Sequence, residues 1–230
     1  IYDLKNDAPL GLCLNEPNYL KNIISFKGNG FLASLVSQFS YFYPSITSKP
    51  VLIPLRPEKK IIGSANDWYV TDSCLFGVFR NRLLVFSKNL TPLSQTTISD
   101  RKLNCLSKAF KEHTLFIGRN DGLFKFEKDT LTRSWPNSKL CQARISDLEF
   151  AKETLFIATR GEGLLVSSKG DLPYPITKKD GLVSNEIDRI HWSQNKLYVL
   201  SKQGISILSF VDSLYGISNY SVENGLISNE

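Results

Sequence analysis

Two histidines and four cysteines are all the chain offers toward metal or thiol chemistry. His113 and His191 stand 78 positions apart, so no metal-ligand spacing exists. Both fall at strand positions and are expected to be partly buried structural residues. Cys13, Cys74, Cys105 and Cys141 are scattered, with no C-x-x-C pair for a metal or redox centre. They are expected as buried free thiols acting as small hydrophobes, with one disulfide in an oxidising compartment as the alternative. No stretch approaches the roughly 18–20 uninterrupted apolar residues of a membrane helix. The opening IYDLKNDAPL lacks a starting Met, a basic head and an apolar run. No signal peptide is visible, and a mature product or an excised fragment is expected.

Groups that converge for chemistry are scarce too. The Asp and Glu residues fall mostly in turns (NDG, GEG, KKDG), where local backbone hydrogen bonds account for them. Neither paired carboxylates nor a Ser-His-Asp set stands out. The expectation is a chain that is not an enzyme and carries no cofactor. The net charge of +6 comes from interspersed residues without a polybasic block, which argues against nucleic acid as a partner.

What the chain has is hydrophobic content of 42% in 230 residues, enough for one large all-β domain or two modest ones. It also repeats itself. TLFIGRNDGL, TLFIATRGEGL, KLYVLSKQGI and, more loosely, CLFGVFRNRL and GFLASLVSQF share an anchor at Leu115, Leu155, Leu197, Leu75 and Phe31. Taken in chain order the anchors are 44, 40, 40 and 42 residues apart. Five residues before each anchor stand Phe26, Val70, Phe110, Phe150 and Trp192, all apolar. Seven before stand Ile24, Trp68, Lys108, Leu148 and Ile190, with Lys108 the exception. An offset of two puts both side chains on one face of a strand. Gly, Asn and Asp after each phrase (RNDG, RGEG, KQG) mark a hairpin. Each copy reads strand, turn, strand, hairpin, strand, then a looser stretch with room for a fourth strand, such as DLPYPITKKDG at 171–181.

A unit of this size is one propeller blade, and no amphipathic helix supports the alternative of a helical solenoid. The expected fold is an all-β β-propeller of blades with three to four antiparallel strands. About five blades are present in a single domain, near 19–60, 61–101, 102–140, 141–181 and 182–225, with 226–230 opening a further repeat. The ring is then incomplete, or the tail joins residues 1–18 to close a ring of about five blades and so protect the sheet edges.

One pair of segments carries a resemblance. KDGLVSNEIDRIHWSQNKLYVLSKQGISIL at 179–208 and ENGLISNE at 223–230 follow DGL-x-S-N-x-I, an apolar strand and a Gly turn. This pattern resembles the two-component-regulator propeller repeat of bacterial sensor histidine kinases and hybrid two-component proteins. It is good over residues 102–230 and weak before 100. The family's usual Trp is Phe116, Phe156 and Tyr198 here; its usual Thr remains as Thr159 and is Arg119 and Ser201 elsewhere. The resemblance implies a periplasmic, extracytoplasmic ligand-sensing domain of an inner-membrane protein. It would touch the membrane only through parts of the parent chain not present here. This chain has no ATP-binding glycine motif and no phosphoacceptor.

The candidate binding residues are basic. Arg80, Arg119, Arg160 and Lys202 open four successive hairpin turns, allowing a one-residue slip, and equivalent blade positions lie on one rim. They would form a positive arc for an anionic ligand or an acidic partner, or simply be solvated turn residues. The aromatic clusters SQFSYFYP (37–44) and NDWYV (66–70) suit a sugar-stacking site, though blade core accounts for them better. Two functions remain open: a sensor propeller binding a small molecule or saccharide, and an interaction propeller docking a protein or a second copy of itself.

Overall fold

A strand that is apolar at consecutive positions is suited to burying both of its faces, and β12 and β16, the second strands of the third and fourth repeats, do so. The computed structural model describes residues 2–3, 8–9, 20–25, 30–35, 40–44, 51–53, 65–110, 114–211 and 214–226. The chain divides into two compact units, Ile1–Thr97 and Ile98–Glu230.

The first unit holds a short pair, β1 (Tyr2–Asp3) with β2 (Ala8–Pro9), and two four-stranded sheets. One sheet runs β3 (Leu20–Ser25), β4 (Phe31–Leu35), β5 (Ser40–Tyr43) and β6 (Val51–Leu52). The other runs β7 (Asp67–Val70), β8 (Cys74–Phe79), β9 (Arg82–Ser87) and β10 (Pro92–Thr97). The second unit holds three more sheets. Its first is β11 (Leu103–Lys108), β12 (Leu115–Arg119), β13 (Gly122–Glu127) and β14 (Thr130–Arg133). Next comes β15 (Ile145–Ala151), β16 (Thr154–Thr159), β17 (Leu164–Ser168) and β18 (Tyr174–Ile176). The last is β19 (Arg189–Ser193), β20 (Lys196–Ser201), β21 (Gly204–Val211) and β22 (Leu214–Tyr220). Every one of these sheets is an antiparallel meander in chain order, the build of a propeller blade. Among the described residues no helix is long and apolar enough to cross a membrane.

The core of the second unit lies in the seams between blades. On β16, Leu155 and Ile157 pack with Cys105, Phe116 and Leu123 of the preceding blade. Their neighbours Phe156 and Ala158 pack with Ile190, Leu197, Val199 and Leu208 of the next. Alternate residues of one strand thus serve two seams. In the first unit, Trp68 plays the equivalent part, packed with Leu32, Leu75 and Phe86. Its indole Nε1 donates to Ser34 Oγ at 2.8 Å. Gly77 lies across from Trp68, and a Cβ there would fall 2.6 Å from the indole ring; the glycine makes room for the tryptophan. Trp68 is therefore blade core, not a sugar platform. Phe42 packs against the same core, while residues 37–39 lie outside the described residues.

The exception at Lys108 has a register explanation. Val70 pairs with Leu75, Phe150 with Leu155 and Trp192 with Leu197, leaving four residues between partners. In the third copy Lys108 pairs with Leu115, leaving six. The turn is two residues longer, so the counterpart of Trp68, Leu148 and Ile190 is Leu106, which is buried. Phe110 fills the seam from within the longer turn, edge-on to Phe116 and Phe150. Lys108 is exposed, with its ammonium 4.5 Å from the Phe150 ring centroid.

Bulges in the first strands tie blade to blade. The ladder skips Asn104 between Leu103 and Cys105, and Ser146 between Ile145 and Asp147. Asn104 Nδ2 donates to the carbonyl of Ile145 at 2.8 Å, and Ser146 Oγ to that of Ile187 at 2.6 Å. Both ties reach 41 residues along the chain, onto the start of the next blade. A bulge turns its unpaired residue away from its own sheet, which aims these side chains at their neighbours.

Several turns run through the left-handed region without glycine: Lys128–Asp129, Lys152–Glu153 and Gln194–Asn195 have φ between 48° and 64°. Two consecutive positive φ values give the hairpin turn that matches strand twist, at a cost of roughly 1 kcal/mol for each residue with a Cβ. Glu153→Gly is expected to stabilise the protein by up to about 1 kcal/mol in chemical denaturation. Gly204→Ala should do the opposite, because φ there is 137° and a Cβ would lie 2.3 Å from the Tyr220 carbonyl oxygen.

Candidate functional site

The four basic hairpin residues take three kinds of place. Arg80 with Asn81 forms the two-residue turn between Phe79 and Arg82; Lys202 with Gln203 does the same between Ser201 and Gly204. Both basic side chains are exposed. Arg160 opens a wider loop and is half-buried. Its guanidinium pairs with Asp188, and its backbone bridges to Glu186.

Arg119 is a strand residue, cross-strand from Gly122 and only 7% exposed. Its Nε and Nη2 donate to the two oxygens of Asp121, each at 2.9 Å, and Nη1 donates to Ser99 Oγ at 2.8 Å. Arg80 belongs to the first unit; the other three residues sit on successive hairpins of the second. Arg119 and Arg160 already meet carboxylates of the protein, so Arg80 and Lys202 are the two of the set that present their charge to solvent.

The place of Arg119 corresponds to Thr159 and Ser201, and these three residues close the same hairpin by different means. Thr159 Oγ1 donates to the carbonyl of Gly163 at 2.7 Å and accepts from the amide of Glu162 at 3.0 Å. Ser201 Oγ donates to the carbonyl of Gly204 and accepts from the amide of Gln203. A hydroxyl at this position satisfies hairpin main-chain groups that the ladder leaves open. Arg119 instead recruits Asp121, and two more arginines gather there: Arg101 Nη1 donates to Asp121 Oδ2 at 3.2 Å, and Arg133 Nη2 lies 3.5 Å from it. Burial pushes the Asp121 carboxyl up, but Arg119, by hydrogen bonding and charge, and then Arg101 outweigh it and hold it below its ordinary value. The Phe124 ring lies beneath both Arg119 and Arg133, with guanidinium carbons 4.2 and 4.8 Å from its centroid.

A second polar constellation joins β15 to β19. Asp147 Oδ1 accepts from the amide of Leu148 at 3.0 Å and Oδ2 from that of Ile190 at 2.9 Å. Two residues on, Glu149 Oε2 accepts from the amide of Trp192 at 3.3 Å. Arg189 Nη1 lies 3.6 Å from Asp147, and His191 Nδ1 lies 3.8 Å from Glu149. Burial pushes the Asp147 carboxyl up to about 6, against the pull of Arg189 and two backbone amides. His191, expected to be partly buried, is exposed on this ladder. His113 lies outside the described residues, as does Cys13. Cys105 and Cys141 are buried and Cys74 half-buried, all three as free thiols.

A third constellation is aromatic and was not legible as a unit in the sequence. Phe156 stacks on Trp192 at 5.6 Å, Trp192 meets Phe210 at 5.6 Å, and Phe210 meets Tyr215 at 6.2 Å. This train crosses the seam of the fourth and fifth blades. Burial, then the neighbouring Tyr215, pushes the hydroxyl of Tyr174 up. Tyr174 and nearby Leu172 are 50% and 65% exposed. The rings come from four strands of two blades, so the only sequence signal was the residue five before each anchor, aromatic in four of the five copies.

No protein-family model matches the chain, and neither does any curated protein. Solved structures do. The Neurospora crassa Pan2 WD40 domain is 9% identical with a TM-score of 0.68, over 90% of this chain and 68% of that one. The RRP9 WD40 repeats are 9% identical with a TM-score of 0.67, over 89% and 64%. The computationally designed Ika8 protein is 12% identical with a TM-score of 0.57, over 85% and 60%. The chain thus spans less than two thirds of the last two. At such identities the likeness is one of fold: the chain is an all-β propeller of four-stranded blades.

Because its folded-state carboxyl titrates near 6 and not near 3.8, Asp147 holds its proton more tightly folded than unfolded. Its contribution to stability is therefore present at low pH and lost as pH rises from about 4 to about 6. Urea titrations of wild type and Asp147→Asn at both ends of that window check this. The stability difference between them should shift on the order of 2–3 kcal/mol in favour of the variant as pH rises.

Proposed function

We propose that this chain is a non-catalytic binding propeller that docks a protein partner on the seam of its fourth and fifth blades. The observation that carries the reading is the aromatic train ending at Tyr215, which influences the neighbouring Tyr174, while Tyr174 and Leu172 two residues before it are largely exposed. A partly buried, half-exposed tyrosine offers a large amphipathic contact surface, and such anchors dominate protein interfaces. The ion pairs and hydrogen bonds of Asp147, Asn104, Ser146 and Arg119 act within the scaffold and suit a rigid platform.

The second reading is the extracytoplasmic ligand sensor of a membrane-bound two-component protein. Its support is the motif at 180–187, where Asn185 Oδ1 accepts from the amide of Lys178 at 2.8 Å. The carbonyl of Asn185 also accepts from the amides of Gly161 and Gly163, each at 3.1 Å. A motif that holds the preceding hairpin in this way gives a structural reason for its Asn, which the sequence repeats at Asn229. In this reading Arg80 in the first unit and Lys202 in the second are, each by itself, an exposed hairpin cation able to meet an anionic small molecule or an acidic saccharide.

Affinity capture with the wild-type chain, followed by calorimetry of the purified pair, tests the first reading. The double change Leu172→Ser with Tyr174→Ser should weaken binding about 30-fold or more while leaving the unfolding midpoint in place. Equal affinity of both forms for the captured protein overturns it. For the second reading, oligosaccharides and small anions are screened by thermal shift. A hit should raise the midpoint of wild type but not that of Arg80→Ala or of Lys202→Ala, each made singly, and a hit insensitive to either change removes these hairpin cations from that reading.

A further inference from the structure

The far face of the last sheet is built as a seam. In the fourth blade, Phe156 pairs with Val166, Ala158 with Leu164, and Leu164 with Ile176. Those five side chains are at most 3% exposed, because the fifth blade covers them. The same ladder positions in the fifth blade are Tyr198 with Ile207, Leu200 with Ile205, and Ile205 with Tyr220. Here Leu200 and Tyr220 are 37% and 45% exposed, and Tyr198, Ile205 and Ile207 are half-buried. Partial exposure of five apolar and aromatic side chains on one sheet face is unfavourable, and these residues have the types and register of the face that the fifth blade covers.

The connector beside it repeats as well. The fifth blade is entered through Thr177 and Asp180, which cap one 3-10 turn reciprocally, then Gly181 at φ 110° and the buried Leu182. The same device recurs as Ser221 and Asn224, then Gly225 at φ 96° and the half-buried Leu226. GLVSNE at 181–186 and GLISNE at 225–230 differ at one position. In the first copy, Leu182 and Ile187 enter the seam core.

We propose that this face is the docking surface for one more four-stranded blade of the same repeat, entered through the Ser221–Leu226 connector. The chemistry of that occupant follows from the seam already present. It would offer aliphatic residues where the fifth blade offers Leu197, Val199 and Leu208 to the fourth. Its first strand would bring an acceptor or a carboxylate toward His191, which stands where the fourth blade has Glu149.

The test uses Leu200→Cys as a reporter. In the 230-residue chain this thiol should react readily with a soluble disulfide reagent, measured against the unsubstituted chain as background. Residues 187–226 are then appended after Glu230, so that a copy of the fifth blade follows the second GL-x-SNE. Docking should slow the reaction of the reporter roughly tenfold or more. Changing the appended equivalents of Leu197 and Leu208 to Asp should restore the rate. A synthetic peptide of the same residues, added in trans to the unextended chain, repeats the test independently of how the extended chain folds. A reporter that stays reactive in both formats overturns the proposal. So does a reporter already protected in the unextended chain where light scattering shows a dimer, since the occupant is then a second copy.

Discussion

Everything in the second unit depends on one packing constraint: the second strands of its first two blades, β12 and β16, are buried on both sides. Leu155 and Ile157 face backward, Phe156 and Ala158 forward, and neither pair is satisfied by its own sheet. A single blade of this kind cannot fold alone, because burying one face leaves the other in water. The sheet must therefore be repeated, and each repeat supplies its neighbour with the apolar partner that it lacks.

The polar side chains follow the same logic. Asn104 and Ser146 leave their own ladders at bulges and bond the main chain of the next blade. Asp147 and Glu149 cap amides on β19. Each of these would be costly if buried without a partner, so each specifies both the spacing and the tilt of the following sheet. The raised carboxyl of Asp147 is the cost of placing one such tie away from water.

The repeat was legible in the sequence because apolar runs, hairpin glycines and a near-constant spacing all reported the same strand arrangement. Spacing from one anchor still misplaced residues where the turn length changed. Lys108 looked like an interruption of the core, and the register shows Leu106 in its place. The hairpin basics looked equivalent for a similar reason, yet Arg119 lies one step earlier and is drawn inward by Asp121 and Phe124. The bulge residues Asn104 and Ser146 carried no signal, since an Asn or Ser near a strand start reads as an ordinary turn residue. The aromatic train was invisible as a unit because its members are brought together only by the seam.

The bulge ties have one more consequence, for the order in which the chain acquires structure. Each reaches forward by 41 residues, and the seams span a similar distance, so contacts rarely connect remote parts of the unit. Among all-β folds such short-range wiring favours quick, stepwise growth. During synthesis a blade can be completed as soon as the next one has left the ribosome. Asn104 and Ser146 each donate to a carbonyl not yet made when they emerge, so their hydrogen bonds form only once the start of the next blade is in place.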